Sequence, residues 1–374
     1  MHETKAGRAA GLIALSRADR PQWTPRDYAH LAREGFGRNA LAYRCVRMIA
    51  EAVAATPFAV FAGSERVEDD HPLNRLLERP NPEQSGAALF EQLHGFVQTS
   101  GNGYLEAVRD DEGRPVELYA LRPDRMQVIP GTKGWAEGYD YSVEGRSVRL
   151  MREADGFCPV WHLKLFNPLD DWYGFSPLEA AAVAIDVHNA ASGWNKALLD
   201  NAARPSGALV YGAGSQERLS DQQFETLKAE LSALYAGQHH AGRPLVLDGG
   251  LEWKPMSLTP AEMDFIEGKH AAAREIAMAF GVPPQLLGIP GEATYANYRE
   301  ANVAFWRQTV VPLARRTAAG LTGWLGPWFS QARIEVDLDM VPALASEREA
   351  LWARLDGAGF LTDEERRWMA GVSQ

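Results

Sequence analysis

The stretch from His71 to Val128, HPLNRLLERPNPEQSGAALFEQLHGFVQTSGNGYLEAVRDDEGRPVELYALRPDRMQV, constrains the fold more than any other part of the chain. Leu73, Leu76 and Leu77 recur at helical spacing, and the corner Pro80-Asn81-Pro82 ends that helix, since proline offers no amide donor and drives its predecessor out of the helical region. Ser85 opens a second helix with Leu89, Phe90, Leu93, Phe96 and Val97 on one face. Gly101-Asn102-Gly103 closes it, because these residues tolerate the left-handed backbone of a helix exit. Two strands are predicted next, Tyr104–Arg109 and Pro115–Leu121, joined by the turn Asp110-Asp111-Glu112-Gly113. Helix, corner, helix and hairpin in that order specify an α+β domain.

The rest of the chain extends that reading. At 374 residues there is room for roughly two to three domains. Helical periodicity begins near Asn39, with Leu41, Cys45, Met48, Ile49 and Val53 on one side, and stops before Pro57; a short strand, Phe58–Phe61, follows. Beyond the hairpin, further strands run to about Leu165. Ser176-Pro177-Leu178-Glu179 has the form of a capping box and predicts one helix to about Asn201; Thr259-Pro260-Ala261-Glu262 repeats the pattern and predicts another, stopped by Gly281, Pro283 and Pro284. Between them lies a small insert: a strand at Gly207–Tyr211, a helix from Ser220, and a hairpin of Pro244–Leu247 with Leu251–Met256 around Asp248-Gly249-Gly250. A long helix from near Tyr295 to Trp324 carries Pro312, which predicts a kink at Gln308. A strand at Arg333–Leu338 and a helical pair, the second capped by Thr362 and Glu365, complete the pattern.

Few residues suggest chemistry. A net charge of −11 disfavours a surface that gains affinity by displacing counterions from nucleic-acid phosphates. Two cysteines, Cys45 and Cys158, lie far apart with no metal-ligand spacing, which argues for neither a disulfide scaffold nor zinc. No run reaches the length of a membrane span, and Gly11–Leu15 is too short for a signal-peptide core. Met1–Arg38 carries seven Lys/Arg against four Asp/Glu and reads as a mildly basic, partly flexible arm. A phosphate-binding GxxxxGK[ST] loop is missing, and Ser176 fits a helix cap better than a nucleophile. His162 with Asp170 and Asp171 is the best acid–base cluster available, and would be the centre of a metal-independent hydrolase. The His239-His240 pair cannot fill a metal shell. Trp306, Trp324, Trp328 and Phe329 fit a core or a subunit interface better than a base-stacking surface.

The motifs HPLNRLLERPNP, SGNGYLEAV, DEGRPVELYALRPDRMQV, WYGFSPLEAA, FGVPPQLLG, TYANYREANVAFW and GFLTDEERR, in this order, resemble the portal proteins of long-tailed bacteriophages and gene transfer agents. The resemblance covers about residues 35–370. It implies an α+β portal fold with a wing, stem, clip and small crown, assembling as a ring. The segments it implies are an N-terminal arm (1–38), a wing (39–175), a first stem helix (176–203), a clip (204–258), a second stem helix (259–281), a tunnel-loop region (282–296), a return to the wing (297–340) and a crown (341–374). It further implies a non-enzymatic head–tail connector of about twelve subunits at a capsid vertex of a virion. Double-stranded DNA would pass without sequence-specific binding; large terminase, a head–tail adaptor and the major capsid protein would dock. No cofactor, metal or membrane is implied. The DNA-proximal tunnel loop would be Ile289, Pro290, Gly291, Glu292, Ala293, Thr294 and Tyr295. A monomeric capsid or tail adaptor is the other non-enzymatic reading.

Overall fold

Among the described residues, four small antiparallel sheets and a set of helices built from these patterns share three large apolar cores and a small fourth cluster. The structure, a computed structural model, describes residues 23–200 apart from 64 and 133, then 207–211, 251–255, 265–290 and 295–370, with the isolated positions 220, 222 and 226. The predicted Pro244–Leu247 strand, the Thr259–Glu262 capping box and His239-His240 lie outside the described residues.

Where the sequence suggested only a basic arm, residues from Thr24 onward are packed: α1 (Tyr28–Leu31) runs into a π-helical turn, Ala32–Gly37, with Leu31 buried. α2 (Ala40–Ala54) starts at Asn39, whose carboxamide oxygen accepts from the amides of Leu41 and Ala42. The same side chain donates to Asn189 Oδ1 at 3.0 Å. Asn39→Ala removes both the cap and this tie, so it is expected to destabilise by about 2 kcal/mol, read as a lower urea midpoint; Asn39→Asp keeps the cap and loses only the tie, and should cost less.

β1 (Phe58–Ala62) pairs with the short β2 (Glu65–Arg66) and, from far along the chain, with β11 (Arg333–Val336). α3 (Pro72–Glu78) buries Leu73, Leu76 and Leu77, as their spacing predicts. The Pro-Asn-Pro corner is then tied to the hairpin it precedes: Leu118 N donates to Pro80 O at 2.7 Å and Asn81 Nδ2 donates to Leu118 O at 2.9 Å. α4 (Gly86–Ser100) is capped by Ser85 and ends at Gly101, which has φ +75°. β3 (Asn102–Arg109) sits between β4 (Pro115–Leu121) and β8 (Val160–Lys164), while β5 (Met126–Pro130), β6 (Ala136–Val143) and β7 (Arg146–Met151) form a separate meander.

The helix predicted over Ser176–Asn201 is broken. A short helical turn, α5 (Pro177–Ala180), capped by Ser176 Oγ accepting from Glu179 N, is followed after Ala181 by α6 (Ala182–Asp200). Leu178 is fully buried against Gly35, where a Cβ would sit only 2.6 Å from its Cδ1, so the N-terminal turn is held by a distant packing partner that the local sequence does not report. In the insert, β9 (Gly207–Tyr211) pairs in register with β10 (Leu251–Pro255), from Leu251 opposite Tyr211 to Pro255 opposite Gly207. α7 (Phe265–Ala279) lies against α6.

The kink predicted at Pro312 takes a specific form. α8 (Tyr295–Phe305) continues through a π-helical turn, Trp306–Val310, into α9 (Val311–Leu325), with proline in its first turn. Widening the turn accommodates the ring and the missing amide without breaking the rod. α9 thereby reaches two cores: Val310 and Ala314 pack with Ile49 and Ile276, whereas Leu321 and Leu325 pack with Leu89, Leu93 and Leu118. Trp324 and Trp328 belong to this packing, since both meet Phe157 ring to ring and Trp324 Nε1 donates to Cys158 O at 2.7 Å. The third core joins Tyr104, Met126, Val128 and Tyr139. At the C-terminal end, α10 (Ala345–Asp356) precedes α11 (Asp363–Ala370), and the predicted capping box is reciprocal: Glu365 N donates to Thr362 Oγ1 at 3.2 Å and Thr362 N donates to Glu365 Oε2 at 2.8 Å.

Candidate functional site: the paired helices and the 281–295 connection

α6 and α7 pack against each other. One side of the pair is internal, with Ala182, Ile185, Ala272, Ile276 and Phe280 in a shared core. Among the described residues, Val183, Val187 and Trp194, spaced four and seven apart along α6, form an exposed stripe on its other side, and Ile266 and Met278 are exposed on α7. The base of α6 is braced by polar contacts from the N-terminal residues. Thr24 N donates to Asp186 Oδ2 at 3.0 Å and Asn189 Nδ2 donates to Glu34 O at 2.9 Å.

The connection after α7 is anchored at its start. Val282 N donates to Ala277 O at 2.9 Å and Gly281 has φ +65°, closing the helix in the way its glycine predicts. A 3₁₀ turn, Pro284–Leu287, and Gly288 at φ +68° bring Ile289 back onto Ala273 and Ala277, where it is buried. Arg274 Nη2 then donates to Pro290 O at 2.8 Å. Of the seven predicted loop residues, Ile289 and Pro290 are thus part of the anchor, Gly291, Glu292, Ala293 and Thr294 lie outside the described residues, and Tyr295 begins α8. Arg274 was missed from sequence: a cation near a helix C-terminus is common, and nothing local says which carbonyl it meets.

The acid–base cluster is not assembled. His162 Nε2 bonds to Asn102 Oδ1 at 3.0 Å, and the imidazole stacks on Tyr104 at 4.2 Å. Asp170 Oδ1 accepts from the amides of Trp172 and Tyr173, which makes it a turn cap, and Asp171 meets Lys164 through its backbone carbonyl. Ser176 is occupied as a helix cap. Among the described residues, no three His, Cys, Asp or Glu side chains gather as a metal site, and no helix is long and apolar enough to cross a membrane.

Two histidines are buried as neutral groups. Burial brings His162 down to about 3, with Lys164 adding to the effect, and burial alone brings His94 down to about 3. Their folded values lie below the unfolded one, so their contribution is complete above about pH 6.5 and is lost as pH falls from there toward 3, by up to ~1.4 kcal/mol per pH unit for each. His162→Gln can still donate to Asn102 and is expected to flatten the acid limb of a stability–pH curve by about half over pH 4–6, measured by urea unfolding; an unchanged slope would contradict burial as the cause.

The comparisons with known proteins agree with this architecture. The family described as phage portal protein matches residues 40–371. An uncharacterised protein of Rickettsia bellii is 42% identical over 91% of this chain and 88% of its own length. A chain in the neck of an empty gene transfer agent particle, treated with six-fold symmetry, is 54% identical, with a TM-score of 0.75 over 95% of this chain and 96% of its own. A chain in the neck of the native particle, treated with twelve-fold symmetry, is 53% identical, with a TM-score of 0.72 over the same shares. With its family match spanning nearly the whole chain, this protein belongs to the phage portal family, whose members are structural proteins and not enzymes.

Proposed function

We propose that the chain is the subunit of a closed homo-oligomeric ring, of about twelve copies, at a capsid vertex of a virion or gene transfer agent particle, and that double-stranded DNA passes through its channel during packaging and release. The observation that carries this reading is the exposed apolar stripe of α6, Val183 and Val187, with Ile266 and Met278 exposed on α7, which a neighbouring copy would bury. The symmetric neck particles that hold similar chains support it. In this reading α6 and α7 are the stem, the β9–β10 insert is the clip, residues 39–175 with 297–340 form the wing, and residues 341–374 form a small crown. Large terminase, a head–tail adaptor and the major capsid protein would dock on the outer surfaces. An acidic chain suits a conduit, because it does not grip the phosphates of a moving duplex.

Purified protein examined by electron microscopy and native mass spectrometry is expected to show closed rings; a strictly monomeric species at all concentrations would remove the reading. Residues 291–294 would be the DNA-proximal tip. Because Ile289 and Pro290 belong to the anchor, the informative change is replacement of Gly291–Thr294 by a Gly-Ser linker with Ile289 retained. Rings should persist while DNA retained per particle falls; normal DNA content would take the tip out of the mechanism.

A further inference from the structure

The loop between β8 and α5 presents Phe166 and Leu169 to solvent, 80% and 93% exposed, the more extreme case among large apolar side chains being Leu169. It is not a slack loop. Asn167 Nδ2 donates to Tyr173 O at 3.1 Å, Leu169 N donates to Asn167 Oδ1 at 3.0 Å, Asp170 caps the next turn, and Tyr173 OH accepts from Val128 N at 2.9 Å. Two bulky apolar groups held out on a fixed frame lose little freedom on docking, which is the condition for an anchor.

A receptor of matching character lies elsewhere on the same subunit. A cavity of about 710 Å³ runs between α1 with its π-turn, α2 and α4, lined mainly by Tyr28, Phe36, Val46, Ala50, Ala88 and Phe96. Its charged lining residues are Arg47 on the α2 side, paired with Glu51, and Glu91 on the α4 side. The loop brings an exposed acid, Asp171, beside its apolar pair.

We propose that the Phe166–Leu169 knob of one subunit seats in this groove on the next copy around the ring. The inference rests on the ring reading above and names a contact within it. A cyclic assembly joins unlike faces, so a convex apolar feature requires a concave counterpart on the same chain, and both are present here. Both also border the base of α6: the knob loop leads directly into α5 and α6, and the groove's outer wall is pinned to α6 through Thr24–Asp186 and Glu34–Asn189. The contact is therefore continuous with the uncovered positions Val183 and Val187.

The test uses the full chain. Leu169→Cys and Ala88→Cys are both surface changes, and under mild oxidation the double variant is expected to give a ladder of covalent multimers that neither single variant gives. In parallel, Gly95→Phe fills the groove from a helix position where an added Cβ meets nothing within 4 Å, so the fold is kept. It should raise the concentration needed for half-assembly by at least about tenfold with melting unchanged. Rings that form without the cross-link, or that tolerate Gly95→Phe, would overturn the contact and leave the ring reading standing. An intrachain bridge at monomer mass would put the loop in its own groove and overturn it too. Failure of the unmodified chain to form rings would overturn the ring reading and this contact together.

Discussion

Gly174→Ala is expected to lower the unfolding free energy by about 3 kcal/mol or more, measured as a shift in the urea midpoint of the purified chain. A Cβ at Gly174 would fall 2.1 Å from Gly101 O and 2.7 Å from Leu165 N, both backbone atoms that cannot rotate away. The carbonyl in the way is already in use, since Leu165 N donates to Gly101 O at 2.8 Å, and Gly174 N donates to Asn102 Oδ1 at 2.7 Å. The methyl must push apart the start of β3 and the end of the knob loop, and that strands a backbone amide. Gly95→Ala in α4 is the control: its Cβ is unopposed, so it should be neutral or stabilising by up to about 1 kcal/mol. If Gly174→Ala and Gly95→Ala melt alike, the close approach is not what fixes this junction.

Val187→Asp combined with Ile266→Asp is expected to leave the subunit folded and to abolish the ring. Both side chains are exposed in the isolated chain, so folding does not desolvate the new carboxylates. Assembly would bury them, at several kcal/mol for each unpaired charge, repeated at every interface of a closed ring. Sedimentation or native mass spectrometry reads the outcome directly, as monomer with an unaltered melting temperature. Rings of normal stability would show that Val187 and Ile266 are not at a subunit contact.

Much of the fold over residues 71–128 was legible because its signals are local. Ser85, Gly101, the Pro80–Pro82 corner and the leucine spacing each act within one or two turns of backbone, and the helices and strands lie where those residues put them. The long-range partners were not legible. β11 pairs with β1 across most of the chain, and β10 lies beside β9, pairings fixed by tertiary closure. Arg274 and the anchoring contact of Ile289 were hidden for the same reason: the start of the implied tunnel loop is held by contacts to the preceding helix.

The acid–base cluster failed for an instructive reason. His162, Asp170 and Asp171 are close in sequence, yet β8 carries the imidazole into an aromatic stack while the loop spends Asp170 on its own amides. Proximity along the chain set the candidates, and strand direction separated them.

The α+β class, the order of helices and strands over residues 39–165, the caps that start and stop them, and the ordered motifs of a portal-family chain are all written in short segments, set by backbone donors, side-chain caps and apolar periodicity. Long-range packing sets where α5 breaks from α6, how a π-turn absorbs Pro312, which glycines meet backbone to backbone, and which apolar side chains are exposed on α6, α7 and the loop between β8 and α5. Those outcomes depend on groups far apart in the chain competing for the same space, and a sequence pattern carries no record of which neighbour arrives.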